Sequence, residues 1–210
     1  MSRYSLKAEE ITKTFGRRLI FERISFAYDG NGVFGISGPN GSGKSTLVKI
    51  IAGLLSPSNG NIIHQSRDKE IIPEKLHNYI GFVSPYLVLY EEFSAWENLI
   101  YFARIRGVRF EKERVEKLLD HFLLLNRKDD PVKTYSSGMK QRMKFIFALT
   151  HNPDLLILDE PTSNLDEEGK SSVYNIVKEE GEKNIVIIAS NEKTDLDLCG
   201  DVIHLEKYKT

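Results

Sequence analysis

Short apolar runs alternate along the chain with segments in which apolar residues recur at helical spacing. The runs that have the length of buried strands are 33–37, 61–64, 80–83, 155–158, 185–188 and 202–205. The segments that have helical spacing are 45–55, 94–106, 111–125, 136–151 and 167–180. Continuous apolar strands separated by helices are typical of a mostly parallel sheet with helices on both faces. The pattern therefore predicts an α/β fold.

The middle of the chain departs from this alternation, because two helical segments follow each other between 85 and 132 with no strand between them. The second segment carries an apolar stripe opposite its Glu and Lys residues: Val115, Leu118, Leu119 and Phe122. We interpret 85–132 as a helical subdomain inserted into the α/β fold. The alternative is that these helices belong to one common core. The charged segment 65–75 is expected to be a surface loop.

Length and composition narrow the class of protein. The 210 residues are 40% apolar and 28% charged, which excludes a disordered, collagen-like or channel-forming chain. The net charge of −1, from 29 basic and 30 acidic residues, disfavours nucleic acid as a partner. No apolar run approaches the roughly 18 residues of a membrane helix, so a membrane role requires a partner protein. Cys199 is the single cysteine, which excludes an intrachain disulfide.

A glycine-rich loop follows the run 33–37 and precedes a helical segment. Residues 38–45 read GPNGSGKS and fit the phosphate-loop pattern GxxxxGK[ST]. The glycines let backbone amides surround a phosphate, and the start of the following helix favours the same anion. Lys44 is expected to contact the β- and γ-phosphates, and Ser45 is expected to bind Mg²⁺. The candidate nucleotide-binding residues here are Gly38, Pro39, Asn40, Gly41, Ser42, Gly43, Lys44, Ser45 and Thr46.

Two carboxylates follow the apolar run 155–158. Asp159 is predicted to hold Mg²⁺, and Glu160 is predicted to act as the general base that polarises a water against the γ-phosphate. Such a base typically contributes about 10²–10⁴-fold in rate. A guanine-reading motif is absent, so ATP is the predicted nucleotide. Phe15, placed ahead of the first strand, is the candidate for stacking on the base, with core packing as the alternative.

Further motifs make nearly the whole chain resemble the ATP-binding cassette (ABC) ATPase family. Residues 38–45 are similar to its Walker A motif and 155–160 to its Walker B motif. Residues 135–142 (YSSGMKQR) resemble its signature loop in the bacterial export-type variant, and 163–166 (SNLD) resemble its D-loop. The resemblance implies one nucleotide-binding domain over 1–210. It would have a P-loop NTPase core (about 1–84 and 133–210), a helical subdomain (about 85–132) and a small N-terminal antiparallel β part.

The resemblance also implies a head-to-tail dimer with ATP sandwiched between two protomers. The phosphate loop of one protomer would face Ser136, Ser137 and Gly138 of the other. Serine at a helix N-terminus and the amides behind it favour an anion, although a plain helix cap is the alternative. Asp166, in the D-loop, is the remaining implied nucleotide-binding residue.

Ser137 and Met139 depart slightly from the commonest signature loop, and two other departures from the family pattern matter more. Pro85 occupies the place of the Q-loop glutamine and offers no side-chain donor or acceptor. Ser84 is considered as a substitute acting through a water. Asn191 stands where the family has its switch histidine; it can donate a hydrogen bond to a γ-phosphate but carries no charge. Asn191 joins Glu160 and Lys44 as a candidate catalytic residue, and we expect a slow ATPase. His151 is not expected to replace the histidine.

The predicted function is ATP hydrolysis that energises a membrane exporter through a separately encoded transmembrane subunit. The chain would be cytoplasmic, lie at the inner face of the cell membrane and act as a homodimer or a paired cassette. Apolar residues around 86–90 and at Phe93 are candidates for the docking groove, with subdomain core as the alternative. An ATP-gated binding module with little turnover, a non-transport ABC ATPase and a P-loop kinase remain open as alternatives.

Overall fold

The computed structural model describes residues 4–209. Its strands are β1 (Tyr4–Phe15), β2 (Arg18–Gly30), β3 (Gly32–Ser37), β4 (Asn59–Ser66), β5 (Lys69–Glu70), β6 (Ile80–Val83), β7 (Leu155–Asp159), β8 (Ile185–Ser190) and β9 (Asp201–His204). Its helices are α1 (Lys44–Ile51), α2 (Ala95–Arg106), α3 (Lys112–His121), α4 (Ser137–Leu149), α5 (Glu167–Gly181) and α6 (Lys193–Leu196).

A parallel sheet in the order β6-β7-β8-β3-β9 forms the centre of the fold. Every residue of β7 and β8 is buried. This is the arrangement that continuous apolar strands favour when both faces of a sheet are covered. The predicted α/β class is therefore confirmed, together with its mostly parallel sheet.

A second sheet is antiparallel and has the order β2-β1-β4-β5. Its long strands β1 and β2 bend where Glu10 and Arg23 adopt positive φ angles and the pairing register shifts. A bulge of this kind interrupts the alternation of buried and exposed residues on which strand prediction depends. The predicted N-terminal antiparallel part is therefore present, but it is longer than the sequence pattern alone indicated.

Several local predictions differ from the structure. Helix α1 ends at Ile51 rather than at 55, because Ala52 caps it and Gly53 then takes a φ of +72°. The segment 65–75 is not wholly a loop. Arg67 and Asp68, both at positive φ, turn the chain so that β5 pairs with β4.

The hydrophobic core has two parts, one on each face of the parallel sheet. Successive residues of β7 alternate between the two parts. Leu156 and Leu158 pack in the part that contains helices α2, α3, α4 and α5, whereas Leu155 and Ile157 pack in the part that contains α1 and the antiparallel sheet. Leu99 of α2 and Val115 of α3 belong to the first part. Of the helices in residues 4–209, none combines the length and apolar character that crossing a bilayer demands.

Three loops meet at one edge of the parallel sheet. Ser37, at the end of β3, pairs with Ser190 at the end of β8, and Asp159, at the end of β7, pairs with Ala189. The carboxyl ends of adjacent parallel strands are where α/β proteins bind ligands. The topology thus brings together the glycine loop after β3, the carboxylates after β7 and the residue after β8.

Candidate functional site

The glycine loop is tightly wound between β3 and α1. Gly41 and Gly43 have φ angles of +76° and +109°, which L side chains rarely adopt. A Cβ on Gly43 would lie 2.6 Å from Ile20 Cγ2 and 3.0 Å from Phe21 Cδ1, so side chains of β2 support the loop from behind. The first turn of α1 contains no acidic residue, and its N-terminus keeps its positive potential.

Lys44 reaches across this loop. Its side chain is almost fully buried, and its Nζ donates a hydrogen bond to the carbonyl of Gly38 at 2.8 Å. The same Nζ lies 3.1 Å from Oε1 of Glu160. The ammonium is therefore fixed between the start of the loop and the second carboxylate, as an anion-binding lysine requires.

Asp159 lies beneath the start of α1 and is completely buried. Its Oδ1 accepts a hydrogen bond from Ser45 Oγ at 3.0 Å, but its Oδ2 has no partner within residues 4–209. Burial raises the pKa of Asp159, and the charge of Glu160 also raises it, whereas the Ser45 bond, Lys49 and Lys44 lower it. A buried carboxylate oxygen without a donor is suited to a cation.

The donor set fits Mg²⁺ better than a metal that proteins enclose entirely. In the described part of the chain, no three or more His, Cys, Asp or Glu side chains are grouped so as to hold a metal ion. Mg²⁺ characteristically takes one or two protein oxygens and completes its shell with phosphates and water. Asp159 and Ser45 supply that number of oxygens.

Glu160 has a backbone conformation that is rare for a residue with a side chain. Its φ is +49°, its amide donates to the carbonyl of Ala189 at 2.8 Å, and its carbonyl accepts from Ser163 Oγ at 2.9 Å. Such strain persists only where the surroundings impose it, and it is frequent at functional sites. With Asn40 and Asn191, Glu160 lines a cavity of about 460 Å³.

Asn191 is exposed at the rim of this cavity. Within residues 4–209 its side chain makes no hydrogen bond, so the amide is free to meet a ligand. His151 lies elsewhere: its Nε2 is 3.0 Å from the carbonyl of Ile80, and it lines a different cavity beside α3. Asn191 and Glu160, which follow the adjacent strands β8 and β7, thus line the same cavity.

The signature-like residues do not join this cavity. Ser136 caps α4 by accepting a hydrogen bond from the Met139 amide at 3.2 Å, as expected for serine at a helix start. Ser137 lines a separate cavity of about 310 Å³ beside Leu87. Asp166 caps α5 by accepting from the Gly169 amide at 2.9 Å. In one chain Ser136 and Asp166 act as helix caps.

Phe15 is the last residue of β1, so its placement ahead of the first strand is wrong. The strand was missed because of the bulge that breaks its alternation. Its ring is 50% exposed, which rules out core packing, and Lys13 Nζ lies 4.9 Å from the ring centroid. An exposed aromatic face at a strand end is suited to stacking.

The loop at Pro85 is held by contacts that the sequence did not reveal. Lys144 Nζ, from α4, donates to the carbonyl of Pro85 at 2.8 Å, and burial lowers the pKa of Lys144. Lys49 Nζ, from α1, lies 4.6 Å from the centroid of the Tyr86 ring. Ser84 Oγ accepts from the Tyr86 amide at 3.2 Å, so Ser84 is engaged within the turn.

A buried group of polar side chains behind the cavity was also missed. Asp195 lies among Thr162, Tyr174 and Ser190. In the sequence, Asp195 and Asp197 of the run EKTDLDL are equivalent acids two residues apart. Only the tertiary fold separates them, because it buries Asp195 and leaves Asp197 exposed.

Comparison with known proteins adds a family assignment to this geometry. The family model described as ABC transporter matches residues 21–163. The linearmycin resistance ATP-binding protein LnrL of Bacillus subtilis is 35% identical over 185 residues, which are 87% of this chain and 60% of that protein. The lantibiotic transport ATP-binding protein SrtF of Streptococcus pyogenes is 33% identical over 199 residues, 94% of this chain and 85% of that protein.

A solved structure agrees with these relatives. The putative ABC transporter (ATP-binding protein) from Pyrococcus furiosus is 28% identical, covers 98% of this chain and 100% of its own, and has a TM-score of 0.83. The chain spans 60% of the length of LnrL.

Proposed function

Because the chain belongs to the ABC transporter family of ATP-binding proteins, we propose that it binds and hydrolyses ATP to drive export through a membrane subunit. One observation carries the proposal. Lys44 contacts Glu160, and Ser45 contacts Asp159. These contacts place the residues suited to bind phosphate and those suited to activate a water at the same edge of the sheet. Membership of the family indicates ATP as the nucleotide, and these contacts support its hydrolysis.

ATP would lie along the glycine loop. The backbone amides of 38–46 and the ammonium of Lys44 would hold the phosphates, and the exposed ring of Phe15 would stack on the adenine. The positive φ angles at Gly41 and Gly43 support this, because residues with side chains rarely adopt them and a loop of this shape lets backbone amides surround a phosphate. Stacking on the Phe15 ring would bind adenine without hydrogen bonds to the edges of the base.

Ser45 and Asp159 would hold Mg²⁺. Within the described residues Oδ2 of Asp159 has no partner, and this supports the assignment, since a buried carboxylate oxygen without a partner is costly. When bound, Mg²⁺ would neutralise negative charge on the phosphate oxygens.

Glu160 would act as the general base. The phosphates of ATP would attract Lys44, and the carboxylate of Glu160 would then be available to accept a proton from the attacking water. The water oxygen would bond to the γ-phosphorus as the bond to the β-phosphate oxygen breaks, giving ADP and phosphate. Asn191 would donate its amide hydrogen to the γ-phosphate. The position of Asn191 and Glu160 on one cavity supports this division of roles.

Two copies of the chain, or this chain and a paired cassette, would form the complete site. Ser136, Ser137 and Gly138 of one protomer would meet the ATP held by the other, and Asp166 would approach the same nucleotide. The location of Ser137 on a different cavity from Asn40 supports a site shared between protomers.

The proposed partner is a separately encoded transmembrane subunit, which would place the chain in the cytoplasm at the inner face of the cell membrane. We assign about 1–84 and 133–210 to the ATP-binding core and about 85–132 to a helical subdomain. Tyr86, Val88 and Tyr90 are 71%, 85% and 63% exposed, so they are suited to docking rather than to a subdomain core. The name of SrtF, a lantibiotic transport ATP-binding protein, supports a role in transport.

Asn191 and Pro85 favour one alternative, an ATP-gated binding module that turns over little. Steady-state phosphate release with Mg²⁺ and ATP separates the two functions. We expect the parent protein to release phosphate and Glu160→Gln to release far less, while calorimetry detects ATP binding by both. Equal release by the two proteins alongside intact binding would favour the module. A failure of both proteins to bind ATP would overturn both functions.

A further inference from the structure

Asp195 is a buried carboxylate that the site described above does not use. It is 1% exposed, yet it accepts hydrogen bonds from three hydroxyl groups on three different parts of the fold. Ser190 Oγ donates to Oδ2 at 2.7 Å, Thr162 Oγ1 donates to Oδ1 at 3.0 Å, and the Tyr174 hydroxyl donates to Oδ1 at 3.1 Å. Asp195 therefore ties together the end of β8, the loop after β7 and helix α5.

The chemistry of the group suits this position. An ionised carboxylate is an acceptor on both oxygens, and its surroundings here are hydroxyl donors. Hydrogen bonds to a charged acceptor are shorter and stronger than neutral ones, and burying a carboxylate without them is costly. The four side chains thus hold one another in a fixed arrangement.

The bond to Ser190 fixes the backbone on both sides of Asn191. Ser190 Oγ also accepts a hydrogen bond from the amide of Glu192 at 3.0 Å. The residues before and after Asn191 are therefore tied to one oxygen atom. Because the Asn191 side chain has no bond of its own in the described chain, its direction depends on this backbone.

The bond to Thr162 stabilises the turn that presents Glu160. Thr162 follows Glu160 by two residues and is itself buried. Glu160 has a strained φ of +49°, and such a conformation requires support from outside the turn. Thr162 Oγ1, at 3.0 and 3.1 Å from the two carboxylate oxygens, supplies that support.

We propose that Asp195 is a positioning residue for ATP hydrolysis, which keeps Glu160 and Asn191 aligned on the γ-phosphate through Thr162 and Ser190. The inference rests on the proposed function, because alignment has a consequence only if the site turns over. Asp195 is too buried to touch the nucleotide, so its influence passes through the two loops. Tyr174 connects the same carboxylate to α5, the helix that Asp166 caps.

The test compares Asp195 of α6 with Asp197, which follows the last residue of that helix. Asp195→Asn keeps the shape of the side chain but replaces one acceptor oxygen by a donor. Asp197→Asn makes the same change at an exposed position and is the matched control. We expect Asp195→Asn to lower kcat by about tenfold to a hundredfold, as misplacement of reacting groups does. Its KM for ATP should stay within about twofold of the parent value, because the phosphate loop is untouched.

A second pair of variants protects the test against misfolding. Thr162→Val and Ser190→Ala each remove one donor and leave the carboxylate in place. Each should lower kcat less than Asp195→Asn and should bind one ATP per chain in calorimetry. A purely structural role would instead reduce the number of binding sites and leave the kcat of each remaining site unchanged, which would overturn the inference.

A double variant that combines Asp195→Asn with Asn191→Ala gives the most direct test of the inference. If Asp195 acts through Asn191 and Glu160, Asp195→Asn should slow Asn191→Ala by a smaller factor than it slows the parent. The inference would be overturned if Asp195→Asn lowered kcat by the same factor in the parent and in Asn191→Ala. Equal kcat values for Asp195→Asn and Asp197→Asn would also overturn it. Failure of the proposed function is distinguishable, because the parent would then turn over no faster than Glu160→Gln and neither loop would have a reaction to serve.

Discussion

Lys44 and Glu160 form an ion pair across the candidate phosphate site, with 3.1 Å between Nζ and Oε1. The lysine belongs to the start of α1 and the glutamate to the turn after β7. Residues distant in sequence thus meet at the point where a γ-phosphate and its attacking water would lie. Binding of phosphates to Lys44 competes with this pair, so the nucleotide itself would release Glu160 for catalysis.

Replacement of Glu160 by glutamine tests that coupling. We expect kcat to fall about 10²–10⁴-fold, because the general base is lost. The affinity for ATP should be unchanged or higher, since Lys44 no longer has a competing carboxylate. Phosphate release and calorimetry measure the two quantities. Glu192→Gln, an exposed change on the same cavity, is the control and should leave ATP affinity unchanged. Weaker ATP binding by Glu160→Gln would contradict the competition.

Replacement of Lys44 by alanine should remove most nucleotide affinity. The ammonium is the charged donor of the site, and a hydrogen bond to a charged group contributes about 1.5–3 kcal/mol. That range corresponds to about tenfold to more than a hundredfold weaker binding. Titration with ATP and Mg²⁺ measures it. Lys170→Ala, on the same cavity but paired with Glu167, should bind nearly as well as the parent. Similar losses in the two variants would argue against a specific role.

Restoration of a histidine at position 191 should raise turnover. Asn191 is exposed on the cavity rim, so the larger ring has room, and a protonated imidazole is a stronger donor than an amide. Asn191→Ala should be slower than the parent, by less than the roughly 10²–10³-fold that loss of a full transition-state donor costs. Steady-state phosphate release ranks the three proteins. An unchanged rate in both variants would refute the assigned position of Asn191.

Acid should destabilise the antiparallel sheet through His64. Burial lowers the pKa of His64 to about 4, and its Nδ1 lies 2.7 Å from the Tyr4 hydroxyl. The unfolded chain binds this proton near the ordinary pKa of 6.5, so the contribution to stability is complete above 6.5 and declines as pH falls toward 4.

The difference in unfolding free energy between pH 7 and pH 4.5 measures this decline. It should be smaller in His64→Gln than in the parent, because glutamine takes up no proton. His151, whose pKa burial also lowers to about 4, would account for part of what remains. An equal difference in His64→Gln and the parent would exclude His64 as the cause.

The sequence predicted those parts of the molecule in which local chemistry restricts the choice of residue. A loop that surrounds a phosphate needs glycines at Gly41 and Gly43, and a strand buried on both faces needs apolar residues throughout, as in β7. The bend in β1 was not predictable, because Glu10 in a left-handed conformation has no distinctive pattern around it. Asp195 and Lys144 were not predictable either, since the atoms that they contact come from distant parts of the chain.

The two strands that flank the turn at Gly16 have a consequence for which ligands the site accepts. Phe15 ends β1 and pairs with Arg18 of β2, while Ile20, two residues further along β2, packs behind Gly43. The aromatic surface and the back wall of the phosphate loop are therefore built on a single hairpin. The hairpin fixes their separation, so insertion of one residue between 15 and 20 would shift the Phe15 ring relative to the phosphate loop.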